Sequence, residues 1–269
     1  MYKPIFVDRN VKPGDYAHFE ANELLVTSMF NTIQGEGPFA GKRALFLRLA
    51  GCNLGGKGIQ GPGCDFCDTD FRFDKGQALK FDTIFEKISQ MVCDKNGKRL
   101  IVITGGEPMI QESLVYFLYR GKERFPNAVF QIESNGTRLL DIPTTQVHLV
   151  ISPKIPVSST AANALFKYHK LSEKVLRRAD CLKFVVDADT SSPYHSVPDY
   201  AFDFMSRGKT VYISPITVHK RERVLPTNAW NDAVIDRIHT QENYMYAGEL
   251  AMEHGFTVSI QMHIFLGCP

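Results

Sequence analysis

Three cysteines are the first sign of chemistry in this chain of 269 residues. Cys52, Cys64 and Cys67 have the spacing C-x11-C-x2-C, and the interval from Asn53 to Gly63 contains five glycines and one proline. Such a segment forms neither a helix nor a strand, but its backbone can wrap around a ligand. The C-x2-C spacing places two sulfurs on one metal centre. A three-thiolate iron–sulfur site with one open iron explains the number of cysteines.

Two other interpretations of the cysteines stay open. A structural zinc site needs a fourth ligand, and no histidine lies between Asn53 and Cys67. A disulfide would leave one cysteine over, and because we see no secretory signal we expect the reducing cytoplasm, where clustered thiols favour metal binding or catalysis. A non-catalytic zinc-binding module is therefore the alternative to an iron–sulfur enzyme.

Polar, glycine and proline residues follow nearly every predicted strand. Cys52 follows the first, and the later segments are TGGEP (104–108), ESNG (133–136), SPK (152–154), DAD (187–189) and SPIT (214–217). The parallel strands of an α/β barrel deliver such loops to one face, where the active sites of that fold lie. The pattern predicts one shared site. The alternative is that Gly, Pro and Ser only form the turns that end the strands, which they often do in proteins.

The elements that position these loops alternate along the chain. Apolar, β-branched runs predict strands, and apolar residues at helical spacing predict helices between several of them. The predicted strands are 45–50, 99–103, 129–132, 149–151, 182–186 and 210–213, and the predicted helices are 81–92, 109–125, 162–179 and one or two within 228–254. We therefore predict an α/β fold, an incomplete (β/α) TIM-like barrel of about six parallel strands with a C-terminal closing segment.

Composition and charge exclude several classes of protein. Hydrophobic residues make up 44% and charged residues 22% of the chain, as in ordinary globular proteins. The net charge of +2 is much lower than that of a typical nucleic-acid-binding protein, which carries a strongly basic surface. No apolar stretch reaches the roughly 18 residues that a membrane span requires. We expect neither a nucleic acid nor a membrane as a partner.

The cysteine motif, with Phe66 before its last cysteine, and the segment TGGEP resemble the radical S-adenosylmethionine superfamily. The superfamily usually has C-x3-C-x2-C, and the eight extra residues of this chain occur in one subgroup. The segments TIQGEGPFAGKRALFLRLAGCN (32–53), CDT (67–69) and VSIQMHIFLGCP (258–269) resemble the 7-carboxy-7-deazaguanine synthase family. The resemblance runs from about residue 26 to the last residue.

This resemblance implies a reaction and its cofactors. Cys52, Cys64 and Cys67 would hold three irons of a 4Fe-4S cluster, and S-adenosylmethionine would chelate the fourth. Reductive cleavage of S-adenosylmethionine would give a 5′-deoxyadenosyl radical that removes hydrogen from 6-carboxy-5,6,7,8-tetrahydropterin. Ring contraction with loss of ammonia would give 7-carboxy-7-deazaguanine, a carbon–nitrogen lyase reaction of queuosine-type 7-deazapurine biosynthesis. A radical enzyme with a different substrate remains an alternative.

The family's S-adenosylmethionine-binding residues match positions at the predicted strand ends. They are Gly105, Gly106, Glu107, Ser134, Asn135, Ser152, Pro153, Lys154, Ser214, Pro215, Ile216 and Thr217. Glycines allow close backbone approach to the amino group, and Glu107 is its expected acceptor. The family usually has Gln-Pro where this chain has Ser214-Pro215, so the resemblance implies only a backbone contact there.

The resemblance also assigns substrate and Mg2+ residues. The substrate residues are Ile33, Gln34, Gly35, Glu36, Arg48, Thr104, His263 and Pro269. Amide and carboxylate side chains can form hydrogen bonds with the donors and acceptors along the edge of a pterin ring, and a guanidinium can pair with a carboxylate. Arg48 interrupts an apolar strand, so it is either part of a structural ion pair or a substrate clamp. Thr69 matches the Mg2+ ligand, and a threonine turn after a metal loop is the alternative.

The whole chain, 1–269, is predicted to be a single radical SAM core domain. It has an N-terminal extension of about residues 1–25, the cluster loop 52–67, and insertions at about 187–209 and 217–245. The apolar C-terminus predicts that the last residues dock and place the Pro269 carboxylate inside the fold. The resemblance further implies a homodimer and an electron donor such as flavodoxin or ferredoxin.

Overall fold

A computed structural model describes residues 22–54, 64, 71, 73–91, 93–94, 96–155, 168–219 and 235–268. The chain divides into two compact units. The first comprises residues 1–32, 43–63 and 69–149, and the second comprises residues 33–42, 64–68 and 150–269. No described helix is long and apolar enough to cross a membrane.

Nine strands and six α-helices are found in the described residues. The strands are β1 Glu23–Ile33, β2 Arg43–Leu49, β3 Gln77–Lys80, β4 Arg99–Gly105, β5 Ala128–Ser134, β6 Val147–Ile151, β7 Cys181–Val186, β8 Thr210–Pro215 and β9 Thr257–Val258. The helices are α1 Phe81–Ser89, α2 Leu114–Arg124, α3 Glu173–Arg178, α4 Tyr200–Ser206, α5 Arg237–His254 and α6 Met262–Leu266. Short 3-10 turns span Gly37–Phe39, Phe73–Lys75 and Pro108–Ile110.

The strands of the first unit lie in the order β3-β1-β2-β4-β5-β6. Strands β2, β4 and β5 are parallel, with Arg48 of β2 in register with Thr104 of β4. Strand β3 pairs antiparallel with β1. Helices α1 and α2 carry their apolar residues at helical spacing, so that Phe85 stacks on Phe117 with ring centroids 5.1 Å apart. This aromatic contact joins the two helices in the core of the unit.

The second unit begins within β6 and continues in the order β6-β7-β8-β9, all parallel. Phe184 of β7 is fully buried and meets Tyr168 edge to face, with ring centroids 5.2 Å apart. Helix α5 begins at the N-cap Asp236, whose side chain accepts hydrogen bonds from the Ile238 and His239 amides, and ends at Gly255 with φ 76°. Both ends of this helix are therefore defined locally.

The predicted fold class is confirmed. The six predicted strands are β2 and β4 to β8. The pairs β2–β4 and β4–β5 of the first unit and β6–β7 and β7–β8 of the second unit are parallel. Sequence patterns missed β1, β3 and β9, because β1 carries several polar residues and the other two are only four and two residues long.

The predicted helices are shorter in the structure. The helix predicted over 109–125 begins at Leu114, because Pro108–Ile110 forms a 3-10 turn capped by Glu107. The prediction over 162–179 gives α3, and the one within 228–254 gives α5; their residues 162–167 and 228–234 lie outside the described part of the chain.

Candidate active site

Cys52 lies three residues after the end of β2, in a close contact between two loops of the first unit. Gly51 has φ 89°, a conformation that favours glycine, and its carbonyl accepts a hydrogen bond of 2.7 Å from the Glu107 amide. A Cβ on Gly106 would lie 1.9 Å from that carbonyl oxygen and 3.0 Å from Cys52 Cβ. The glycine of the TGGEP segment therefore lets its loop approach the cysteine.

Glu107 connects the ends of β4 and β5. Its side chain is fully buried, and its carboxylate accepts hydrogen bonds from Ser134 Oγ (2.8 Å), the Asn135 amide (2.6 Å) and the Met109 amide (2.9 Å). A buried carboxylate is expensive without such donors. The predicted residues Gly106, Glu107, Ser134 and Asn135 are thus brought together in the first unit.

A chain of side-chain amides links Asn135 to the residue after Cys52. Asn135 Nδ2 donates to Asn53 Oδ1 at 3.0 Å, and Asn53 Nδ2 donates to Thr137 Oγ1 at 2.7 Å. Thr137 returns two hydrogen bonds to Asn135 Oδ1, from its amide and its hydroxyl. Asn53 and Thr137 were not among the predicted site residues, although Asn53 directly follows the cysteine.

The two substrate candidates of the first unit are neighbours. Arg48 and Thr104 are register partners on the parallel strands β2 and β4. The Arg48 guanidinium carbon lies 5.2 Å from the centre of the Phe30 ring, and Phe30 stacks on Phe46. Stacking on an aromatic ring stabilises this cation and limits its orientation.

Gln111 is a positioning residue that sequence reasoning missed. It is 7% exposed, and its amide bonds both the nitrogen (2.9 Å) and the carbonyl (3.0 Å) of Leu25 and the carbonyl of Ala50 (3.0 Å). The side chain ties β1 to the segment that leads into Cys52. The sequence signal for this role is that Gln111 is a polar residue that closely follows the strand-end motif TGGEP.

In the second unit, residues 33–42 fold into a closed loop against the C-terminal segment. Backbone hydrogen bonds of 2.8 Å join Gln34 to Lys42 and Gly41 to Gln34. The Met262 amide donates to Gly35 O at 3.2 Å, and the Gly37 amide donates to Ser259 Oγ at 2.8 Å. A Cβ on Gly35 would lie 2.1 Å from His263 Nδ1. Gly35 and His263, both predicted substrate residues, are therefore in close contact.

Glu36 of the same loop forms an ion pair with Lys183 of β7, with Nζ and Oε2 2.7 Å apart. Tyr244 of α5 lies nearby. Burial raises the pKa of its hydroxyl, the Thr217 side chain lowers it, and the Glu36 carboxylate raises it. Lys183 and Tyr244 were both missed; Lys183 gave the same signal as Arg48, a charge inside an apolar strand.

The ends of β6 and β8 carry the remaining predicted cofactor residues. Lys154 Nζ donates to Ser152 O at 2.9 Å and to Ser152 Oγ at 2.5 Å. Ser214 is 3% exposed, and its Oγ has no hydrogen bond within the residues that the structure describes. A buried hydroxyl of this kind suits a ligand contact. Thr217 Oγ1 donates to Gln261 Oε1 at 2.7 Å.

Helix α5 holds the segment after β8 in place. Asn243 Nδ2 donates to Ile216 O at 2.9 Å, and Thr240 Oγ1 accepts from the Val218 amide at 3.0 Å. Both side chains are about 2% exposed or less. Residues 237–245 of the second predicted insertion therefore belong to a helix that supports a predicted cofactor segment.

The described cysteines fit a thiolate-ligated cluster in their chemistry. Cys52 is half-buried and Cys64 is buried, and the Gly106 backbone packs closely against Cys52. Cys64 belongs to the second unit, where its charge would raise the pKa of Tyr168, a shift caused mainly by burial. The predicted ligands Cys67 and Thr69 and the substrate residue Pro269 lie outside the described residues.

Comparison with known proteins agrees with these features. Residues 48–145 match the radical SAM superfamily. The 7-carboxy-7-deazaguanine synthase of Rickettsia prowazekii (strain Madrid E) is 33% identical over 262 residues, which are 96% of this chain and 92% of that protein. That of Rhodospirillum rubrum is 29% identical over 263 residues, 96% of each chain. The crystal structure of QueE from Escherichia coli has the same fold, with a TM-score of 0.59 at 20% identity, over 90% of this chain and 95% of that chain.

The radical SAM match covers the segment from β2 to the end of the ESNG loop, which contains the cysteine motif and the Glu107 contacts. The Rickettsia relative extends the similarity over 96% of the chain. The protein therefore belongs to the 7-carboxy-7-deazaguanine synthase family of the radical SAM superfamily.

Proposed function

We propose that this protein converts 6-carboxy-5,6,7,8-tetrahydropterin to 7-carboxy-7-deazaguanine with loss of ammonia, as a carbon–nitrogen lyase of 7-deazapurine biosynthesis. The observation that carries the proposal is the near full-length similarity to proteins named for this product. Membership of the superfamily implies a 4Fe-4S cluster and S-adenosylmethionine, which together supply a carbon-centred radical that removes hydrogen from the substrate.

Cys52, Cys64 and Cys67 are the proposed cluster ligands. In the first unit, Gly105, Gly106 and Glu107 would contact the amino group of S-adenosylmethionine, with Glu107 as acceptor. The hydrogen bonds from Ser134 and the Asn135 amide hold that carboxylate in one orientation. The role proposed for Glu107 therefore depends on Ser134 and Asn135, which lie at the C-terminal end of β5 and hydrogen-bond its carboxylate.

The second unit is proposed to contribute further cofactor contacts at Ser152 to Lys154 and at Ser214 to Thr217. The free Ser214 hydroxyl supports a side-chain contact that the family comparison alone did not imply. Helix α5 would keep this segment in position through Asn243.

The proposed substrate residues are Ile33, Gln34, Gly35, Glu36, Arg48, Thr104, His263 and Pro269. Arg48 would pair with the substrate carboxylate, since a guanidinium makes two parallel hydrogen bonds to such a group. Glu36 would accept hydrogen bonds from the N–H groups of the pterin edge. Thr69 would provide a hard oxygen ligand for Mg2+.

The protein acts on a small molecule and needs a reductant. A flavodoxin or ferredoxin as electron donor, a homodimer, a cytoplasmic location and a single core domain over 1–269 are further parts of the proposal. They rest on the resemblance alone.

The test is anaerobic turnover of reconstituted protein with S-adenosylmethionine, a reductant, Mg2+ and 6-carboxytetrahydropterin, followed by mass spectrometry. We expect 7-carboxy-7-deazaguanine, about four irons per chain, and loss of both on Cys64→Ala. Cys93→Ala is the matched control, because Cys93 lacks the C-x2-C spacing, and it should retain product and iron.

Two other results would contradict the proposal in different ways. Cleavage of S-adenosylmethionine without change in the pterin would keep the superfamily chemistry and reject the substrate. Colourless protein without iron or cleavage would favour the zinc-binding module.

A further inference from the structure

Lys183 is a cation in the middle of a buried strand. It lies in β7, with the sequence CLKFVV, and its side chain is 8% exposed. An ammonium group in such a place is destabilising unless an anion and hydrogen-bond acceptors surround it. Its Nζ lies 2.7 Å from Oε2 of Glu36, a residue 147 positions earlier in the chain. The ion pair joins a rigid strand to a loop.

The loop that receives this ion pair is otherwise held through its backbone. The Glu36 amide donates to Gln34 Oε1 at 3.2 Å, and the Gly37 amide donates to Ser259 Oγ at 2.8 Å. These contacts fix the main chain but leave the Glu36 carboxylate free to rotate. Lys183 is the described residue that bonds the carboxylate itself.

Only one carboxylate oxygen is used in this contact. Within the described part of the chain, Oε1 of Glu36 accepts no hydrogen bond, and the Glu36 side chain retains 20% exposure. An ionised carboxylate is purely an acceptor, so Oε1 can receive an N–H group of a ligand. The bond to Lys183 determines the direction in which Oε1 points.

We propose that Lys183 is a positioning residue for substrate binding, which holds the Glu36 carboxylate oriented towards the N–H edge of the pterin ring. This inference rests on the proposed function and adds a residue to it. Lys183 acts through Glu36, so its effect should disappear when Glu36 can no longer act as an anion.

The test is a set of steady-state measurements on reconstituted holoenzyme, with 6-carboxytetrahydropterin as the varied substrate. Lys183→Met should raise KM for the pterin about tenfold or more, with a smaller change in kcat, and Lys183→Arg should recover most of the loss. Glu36→Gln should raise KM by a similar factor. The double variant should be no worse than Glu36→Gln, because two residues that act through one contact are not additive.

Lys209→Met is the matched control. Lys209 is in the same unit but precedes β8, and its Nζ donates to the carbonyl of Arg177 at 2.8 Å at the end of α3. Its replacement should leave KM for the pterin unchanged. Iron content and S-adenosylmethionine affinity are measured for every variant to detect misfolding.

An unchanged KM in a Lys183→Met variant with normal iron content would overturn the inference, as would effects of Lys183→Met and Glu36→Gln that multiply in the double variant. If Lys183→Met alone does not fold, the double variant and Lys183→Arg decide, since neither leaves the Glu36 carboxylate without its cation. A wild-type protein that makes no product would instead reject the proposed function, together with the role that rests on it.

Discussion

Gly106→Ala tests the contact that brings the TGGEP loop against Cys52. The added methyl carbon would lie 1.9 Å from Gly51 O and 2.5 Å from Gly51 C, whereas real Cβ atoms essentially never approach closer than 3.0 Å. Both obstructing atoms belong to the backbone, so no rotamer change can relieve the clash. The Gly51 carbonyl is also held by the 2.7 Å hydrogen bond from the Glu107 amide.

The two loops must therefore separate by more than about 1 Å, a distance that breaks this hydrogen bond and shifts Cys52. Forced overpacking typically costs about 1–3 kcal/mol, and the lost hydrogen bond adds about 1 kcal/mol. We expect the free energy of unfolding to fall by about 3 kcal/mol. Iron loading should fall as well, because a thiolate ligand moves relative to its loop.

Urea denaturation followed by circular dichroism measures the first effect, and iron per chain after anaerobic reconstitution measures the second. Gly248→Ala is the matched control: it lies in α5, and a Cβ there meets nothing within 4 Å. That variant should keep its iron and gain up to about 1 kcal/mol, since alanine favours a helix. A Gly106→Ala protein with wild-type iron and stability within about 0.5 kcal/mol would refute the steric argument.

Four further predictions follow from single contacts. Gln111→Ala should lower the free energy of unfolding by about 2–4 kcal/mol, because three backbone groups lose their partner; a loss below about 1 kcal/mol in urea denaturation would contradict this. Glu107→Gln should weaken S-adenosylmethionine binding in calorimetry, since an amide presents a donor to the donors around it, and unchanged affinity would count against its assigned role. A tag after Pro269 should reduce turnover more than an N-terminal tag, and equal turnover would remove the proposed substrate contact of the terminal carboxylate. The Asp236 side chain raises the pKa of His239 above its usual 6.5, so this pair stabilises the protein below that pH and loses its effect as pH rises through the raised pKa; His239→Gln should flatten the thermal stability profile there, and identical profiles would contradict the pairing.

The strands that form the parallel sheet could be predicted from the sequence because their signal is local. Apolar, β-branched runs such as RLIVI at 99–103 have few alternatives to a buried strand, and the structure places β4 there. The cysteine motif and TIQGEG were equally accessible, since both depend on residue types at fixed short spacing. Family membership, cofactors and fold class therefore came from the sequence.

Helix α5 has buried residues that local sequence patterns do not predict. Its buried residues include Thr240 and Asn243. Because both side chains are polar, the spacing of apolar residues along the helix does not identify them as buried. They are buried because their amide and hydroxyl groups bond the backbone around Ile216 and Val218. Only the folded chain supplies those partners, so the supporting role of this helix could not be predicted.

The partners of the site residues were decided by the tertiary structure alone. Glu36 and Lys183 are 147 residues apart, and Gln111 bonds Leu25 across 86 residues. Sequence can indicate that a buried charge such as Lys183 needs an anion, because desolvation penalises it, but not which of the acidic residues provides it. That choice depends on strand order and loop path, which bring distant segments within hydrogen-bonding distance.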